Sequence, residues 1–376
     1  MNAEGRRLLS DLLPVLASVM ESGTFIGGVE VDTFERRFAR LHRVGHAVAV
    51  NSGTDALRLV LRGLGLPRGS VAITVANTFV ATVGAVVSEG LRPLLVDVGD
   101  DENIDPEALR RAITPDTGVV IAVHLRGWPA RVDVVRRICD EHGVPLVEDC
   151  AQAVGATAGG RPVGGFGVAG CFSLHPLKNL GACGDGGVVV TEDGGLAAEL
   201  RLLRNHGLAD RDTVVRWGEN SRLDAVQAAM LNVKLRHLPA WNERRGELAA
   251  IYRERLAGLP IAPPPSGDDR THVYHRFCVR TPGRDGLRAH LAAAGVETAV
   301  HYPVPIHQQP AAAGGGVLVA DGGLPVTERQ SREILSLPLH PALTSRQITY
   351  VAEQIHEYYD RLSTVAGMRH ETGGHR

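Results

Sequence analysis

The chain has 376 residues, is 44% hydrophobic and 22% charged, and carries a formal net charge of −2. That is a globular composition, long enough for one large core or for a large and a small domain. No long basic stretch is present, which argues against a nucleic-acid partner, and no apolar run approaches membrane-spanning length.

The first element is "RRLLSDLLPVLASVM" (6–20), which begins like a signal peptide. Asp11 and Pro14 interrupt its apolar run, and apolar residues recur at helical spacing, so it predicts an amphipathic surface helix. From residue 45 onward, short β-branched runs alternate with helical patterns. Strands are expected at 46–51, 71–75, 93–98, 118–124 and 144–149, with helices at 54–65, 79–89, 106–113 and 131–143. This rhythm predicts an α/β protein with a mostly parallel sheet and helices on both faces. The strands are continuously apolar, as strands buried on both sides are. After about residue 240 the pattern changes. A long helix (239–259) is followed by the Pro/Gly-rich stretch 260–270, which reads as a linker or surface loop, and by the alternating run 272–280, which reads as a half-exposed strand. The expected division is a large domain over 1–240, including the N-terminal helix, and a small α+β domain over 241–376. The segment 311–323 is expected to be a mobile loop and 366–376 a disordered tail. Five cysteines, an odd number without CxxC spacing, point away from disulfides and structural zinc and toward a reducing cytoplasm.

The segment "CFSLHPLKNLGACGDGGVVVT" (171–191) holds one of only two lysines, Lys178; the other is Lys234. Elsewhere the chain uses arginine. A guanidinium stays protonated, whereas a partly buried lysine can lose its proton and attack a carbonyl. An imine-bound carbonyl cofactor would also need donors for a phosphate, a carboxylate for a ring nitrogen, and a wall for its ring. "NSGTDA" (51–56) places Ser52, Gly53 and Thr54 where a strand gives way to a helix, a site that suits an anion and equally suits a plain helix cap. "EDCAQ" (148–152) ends a strand with Asp149, either a partner for a cation or a structural carboxylate. "NTFVAT" (77–82) offers Phe79 as a wall, although a core role is the plainer reading. Ser173 is a second hydroxyl, and "GACGDGG" (181–187) permits tight turns. Such strand ends meet at one edge of a parallel sheet. Lys234 is expected to be solvated or paired and Trp128, Trp217 and Trp241 to pack; no metal site is expected.

Together with "SGTFIGGVEVDTFERRFARLH" (22–42), "ENIDPEALRRAITPDT" (102–117), "LRNHG" (203–207), "GENSRLDAVQAAML" (218–231) and "HYPVPIH" (301–307), these stretches resemble, nearly end to end, the DegT/DnrJ/EryC1/StrS family of sugar aminotransferases. The resemblance implies the fold type I architecture of pyridoxal-phosphate-dependent transferases, aspartate aminotransferase-like. It implies that Lys178 is the Schiff-base lysine and proton shuttle, that Asp149 partners the pyridine nitrogen, and that Gln152 lies near the phenolic oxygen. Gly53, Thr54 and Ser173 would hold the phosphate, and Phe79 would cover the ring. Asn220 is similar to a phosphate ligand that relatives supply from the neighbouring subunit, implying a homodimer with shared active sites. Tyr302 and His307 fall in a substrate segment. Arg126 stands where many relatives have an aromatic residue. The implied reaction moves an amino group from L-glutamate or glutamine to a nucleotide-linked 3-keto-6-deoxyhexose, in amino-sugar and antibiotic biosynthesis. A 4-keto nucleotide sugar, a keto-cyclitol, or a noncatalytic cofactor-binding regulator are the alternatives. The absence of GxGxxG after the first strand argues against a nucleotide-binding dehydrogenase.

Overall fold

The computed structural model describes residues 8–372. Two helices, α1 (Leu9–Ser22) and α2 (Gly28–His42), lead into β1 (His46–Val50) and α3 (Gly53–Gly63). Then follow β2 (Val71–Val75), α4 (Val80–Ser88), β3 (Arg92–Val96), α5 (Pro106–Ala112), β4 (Thr117–Val123), α6 (Val132–His142) and β5 (Leu146–Asp149). The short strands β6 (Thr157–Ala158) and β7 (Arg161–Pro162) precede β8 (Ala169–Ser173) and β9 (Gly187–Thr191). Next come α7 (Gly194–Leu203), α8 (Ala225–Lys234), α9 (Leu238–Arg255), β10 (Arg270–Thr271), β11 (Phe277–Arg280) and α10 (Arg284–Ala293). The chain closes with β12 (Leu318–Val319), α11 (Pro325–Glu333), β13 (Ile334–Leu337) and α12 (Ser345–Thr372).

Eight strands form the main sheet in the order β1-β9-β8-β5-β4-β2-β3-β12. From β8 to β12 every neighbouring pair is parallel, while β9 runs antiparallel to both β1 and β8. Every residue of β2 and β9 is buried, as apolar runs covered on both faces should be, and so is every residue of β5, although it ends in Glu148 and Asp149. Phe34, Phe38, Phe172 and Leu231 pack in one core cluster, and Leu57, Val60, Ile121 and Leu200 in another. A further cluster draws only on the later elements, with Leu248, Tyr252, Phe277, Leu291, Leu335 and Ile355 among its members.

Several sequence expectations change. The segment 311–323 is not wholly a loop: Leu318 and Val319 add a strand to the sheet edge beside Leu94 and Leu95. The strand expected over 272–280 is confined to 277–280, because Tyr274 takes a left-handed φ of 45° and ends any extended run. The last helix continues to Thr372 through most of the expected tail; residues 373–376, like 6 and 7 of the N-terminal helix, lie outside the described residues. Trp217 does not pack but is 90% exposed. Among the described residues no helix is long and apolar enough to cross a membrane.

Candidate active site

The carboxyl ends of β2, β4, β5 and β8 and the start of α3 surround a cavity of about 340 Å³. Of the residues singled out in the sequence, Gly53, Thr54, Phe79 and Asp149 line it. So do Gln152, Ser173, Lys178 and Tyr302. Residues from Gly53 to Lys178 are thus gathered at strand ends along one edge of the sheet, and Tyr302 reaches the same cavity from the segment between α10 and β12.

Lys178 sits in the turn after β8, its amide donating to the His175 carbonyl at 2.8 Å. Among the described residues its Nζ makes no hydrogen bond or ion pair. Burial lowers its pKa to about 8; Asp149 resists that shift and the Arg276 guanidinium adds to it. Asp149, 5% exposed at the end of β5, accepts from Thr82 Oγ1 at 2.7 Å and from the Ala151 amide at 3.1 Å. Thr78 extends the chain to Thr82 at 2.8 Å. Burial raises the Asp149 carboxyl, against the pull of Thr82, Ala151 and the Lys178 charge.

The start of α3 is built by contact as much as by capping. Ser52 is extended and its Oγ accepts the Asp55 amide at 3.1 Å. The first-turn amides of Gly53 and Thr54 then have no intrahelical acceptor. A Cβ on Gly53 would lie 2.7 Å from Ser173 Cβ, so only glycine lets the helix approach β8 this closely. A Cβ on Gly187 would lie 2.2 Å from the Ser52 carbonyl oxygen, which binds β9 to the same corner.

On the other side, the Phe79 and Tyr302 rings stand 5.7 Å apart, and Phe79 is 50% exposed, not a core residue. Gln152 accepts the Arg126 amide at 2.6 Å through Oε1 and donates to Tyr302 Oη at 3.2 Å through Nε2. Arg126 is buried in a left-handed conformation (φ 58°), pairs with Glu102 and donates to the His301 carbonyl at 2.8 Å. It thereby ties the 301–302 segment to the main sheet.

Two predicted residues are not part of this lining. Asn220 is exposed and bridges to Asn205. His307 lies 3.0 Å from Glu328 of α11. Conversely, Thr82, His275, Arg276 and His301 line the cavity without having been singled out. Thr82 was findable, one helical turn from Thr78 in "NTFVAT". Burial pushes His275 well below the usual histidine range and His301 down to about 4, so both are neutral near pH 7. Glu148, beside Asp149, is wholly buried yet satisfied by His124 at 3.0 Å and by the amides of Gly164, Phe166 and Gly167. Burial pushes its carboxyl up, but these donors together outweigh that and hold it below the usual range. It secures the end of β5. Lys234 is paired, donating to the Gly181 carbonyl at 2.7 Å.

The model of the DegT/DnrJ/EryC1/StrS aminotransferase family matches residues 9–356. The chain is 44% identical, over 96% of each chain, to a dTDP-3-amino-3,4,6-trideoxy-alpha-D-glucose transaminase of Streptomyces venezuelae. It is 39% identical, over 96% of this chain and 97% of the other, to a pleiotropic regulatory protein of Geobacillus stearothermophilus. The fold matches the crystal structure of S. venezuelae DesV in complex with a ketimine intermediate, with a TM-score of 0.91, 44% identity, and coverage of 95% of this chain and 96% of that one.

Proposed function

The chain belongs to the DegT/DnrJ/EryC1/StrS aminotransferase family, and from that premise we propose that it aminates a nucleotide-linked 3-keto-6-deoxyhexose, with L-glutamate or glutamine as donor. The reading is supported by the transaminase name of the S. venezuelae relative. One observation carries it: the amine of Lys178, unpartnered among the described residues, and the buried carboxyl of Asp149 line one cavity with the start of α3.

The residues fit pyridoxal phosphate, the cofactor of such enzymes. Gly53 lets the helix start close on Ser173, Asp149 is buried at the cavity, and the Lys178 amine has no partner among the described residues. When bound, the cofactor supplies an electron sink and carries the amino group between donor and acceptor. Lys178 would be the residue that holds it, and its amine, brought down to a pKa of about 8 by burial, would be the group placed to take up or give back a proton there. Asp149, oriented by Thr82 and the Ala151 amide, would keep a proton on the ring nitrogen. Gly53, Thr54 and Ser173 would hold the phosphate, Phe79 would cover the ring, and Gln152, which donates to Tyr302 Oη, would serve the phenolic oxygen. Asn220, exposed in its own subunit, serves the phosphate of a second copy in a homodimer. Exposed Ile26, Val29, Val215 and Trp217 supply apolar surface for that pairing. A small domain beginning near residue 241 is supported by the separate apolar cluster of the later elements. Five unpaired cysteines support a reducing, cytoplasmic setting.

The test is amination of a panel of keto sugars, with borohydride trapping of the cofactor on Lys178. Turnover of nucleotide-linked 3-keto sugars is expected; turnover of cyclitol ketones alone overturns the nucleotide-sugar reading. The regulator named among the relatives raises a second reading. A bound cofactor whose spectrum no amino donor changes would favour it.

A further inference from the structure

Arg276 immediately precedes β11 and lines the cavity beside Lys178. It also lines a second, larger groove of about 950 Å³. The two spaces share Leu177, Lys178, His275, Arg276 and His301, so they meet at the reactive lysine. The Arg276 backbone is fixed by its amide, which donates to the Arg126 carbonyl at 3.4 Å. Its guanidinium is different. Among the described residues it makes no ion pair, and its Nε is buried with no hydrogen-bond partner.

A half-buried, unpaired cation is costly unless a ligand supplies the counter-charge. The surroundings offer none. The acids on the cavity lining are Asp149, already bonded to Thr82 and Ala151, and exposed Asp185; neither pairs with Arg276. The groove contributes one acid, Glu297, which is also unpaired with it. The flanking His275 and His301 are neutral, and Lys178 is of the same sign when protonated. The site is therefore built for an anion.

We propose that Arg276 anchors the carboxylate of the amino donor, in a subsite that opens from the reaction cavity into the groove between Lys178 and the start of α12. This rests on the aminotransferase reading of the same cavity. Chemistry selects this anion over the nucleotide diphosphate. The donor's carboxylate is bonded to the very carbon that carries the amine, so it arrives wherever the amine meets the Lys178 position. The diphosphate hangs on C1, two ring carbons away from a C3 ketone. Arg276 borders Lys178 closely enough for its charge to be felt there. A guanidinium also matches a carboxylate in two parallel hydrogen bonds, which a lysine could not make.

The experiment compares holoenzyme of wild type, Arg276→Gln and Arg276→Lys. Cofactor occupancy and thermal melts check that each variant is folded and loaded. Calorimetry measures binding of an unreactive donor mimic, glutarate (glutaramate if glutamine is the donor), and of thymidine diphosphate. Arg276→Gln is expected to weaken the donor mimic about thirtyfold, with partial recovery in Arg276→Lys. Thymidine diphosphate should bind within about twofold of wild type. Rapid mixing with the donor should show half-saturation shifted by the same factor as the mimic. An unchanged mimic affinity, no mimic binding by wild type, or a loss that falls on thymidine diphosphate instead overturns the anchor. If wild-type holoenzyme shows no spectral response to any amino donor, the aminotransferase reading itself fails. If wild type responds and Arg276→Gln responds with the same concentration dependence, only the anchor fails.

Discussion

The roles proposed for Lys178 and Asp149 differ in protonation state, and each can be tested alone. Lys178→Ala should lower turnover on the order of a thousandfold or more. Lys178→Arg should not rescue it, because a guanidinium can neither condense with a carbonyl nor give up its proton near neutrality. The pH dependence has a definite sign. Burial brings the Lys178 pKa down to about 8. The amine of cofactor-free protein is thus largely protonated a unit below that value and largely neutral a unit above it. The rate of loading with pyridoxal phosphate, followed by absorbance, should rise through about pH 8 and level off, not climb toward the ordinary lysine value of about 10.4. At Asp149 the shape can be kept while the charge is removed. Asp149→Asn should cost roughly a hundredfold or more in turnover and leave folding intact. Thr82→Val removes only one of its two hydrogen bonds and should cost about tenfold or less. Arg276 was missed in the sequence for a physical reason. It is one arginine among many, and what marks it is a guanidinium without an ion-pair partner among the described residues, a property of the fold and not of the run "HVYHRFCVR".

The corner where α3, β8 and β9 meet depends on backbones approaching more closely than any side chain permits. Gly187→Ala would set a Cβ 2.2 Å from the Ser52 carbonyl, against backbone that cannot swing away. It should destabilise the protein by about 2 kcal/mol or more in chemical denaturation and weaken cofactor binding with it. Gly53→Ala meets the Ser173 side chain at 2.7 Å and should act more locally, lowering cofactor affinity about tenfold with a smaller loss of stability. These contacts explain why part of the architecture was legible in sequence and part was not. β1 to β5 and their helices were readable because strands buried on both faces carry apolar runs and the helices between them carry a 3.6-residue period. The reversed direction of β9 was not, since "GVVVT" has no polarity that distinguishes parallel from antiparallel pairing. β12 was hidden because two paired residues among glycines leave no period at all. Of the site, the strand-end residues were readable, and the groove behind Lys178 was not, being assembled from separate segments spread from Arg245 to Val351.

At the scale of the whole molecule, the corner proposed for the phosphate has hydroxyls and amides from Gly53, Thr54 and Ser173 of one chain, while Asn220 is exposed. Exposed apolar residues at Ile26, Val29, Val215 and Trp217 include one three positions from Asn220. If two copies pair through this surface, each active site takes its lysine from one chain and its asparagine from the other. Subunit mixing tests that arrangement. On this arrangement Lys178→Ala dimers would lack the reactive amine, and Asn220→Ala dimers are expected to hold the cofactor weakly. In a mixed dimer with sites shared across the interface, both lesions fall in one site and the other site is wholly intact. Random re-pairing of equal amounts should then restore about a quarter of wild-type activity at low cofactor concentration, because half the dimers are mixed and each has one good site. If Asn220 instead serves its own chain, every site in the mixture carries one lesion and mixing gains nothing over the average of the two parents. Sedimentation of the wild type as a dimer is expected alongside; a monomer that retains full activity would remove the premise of both.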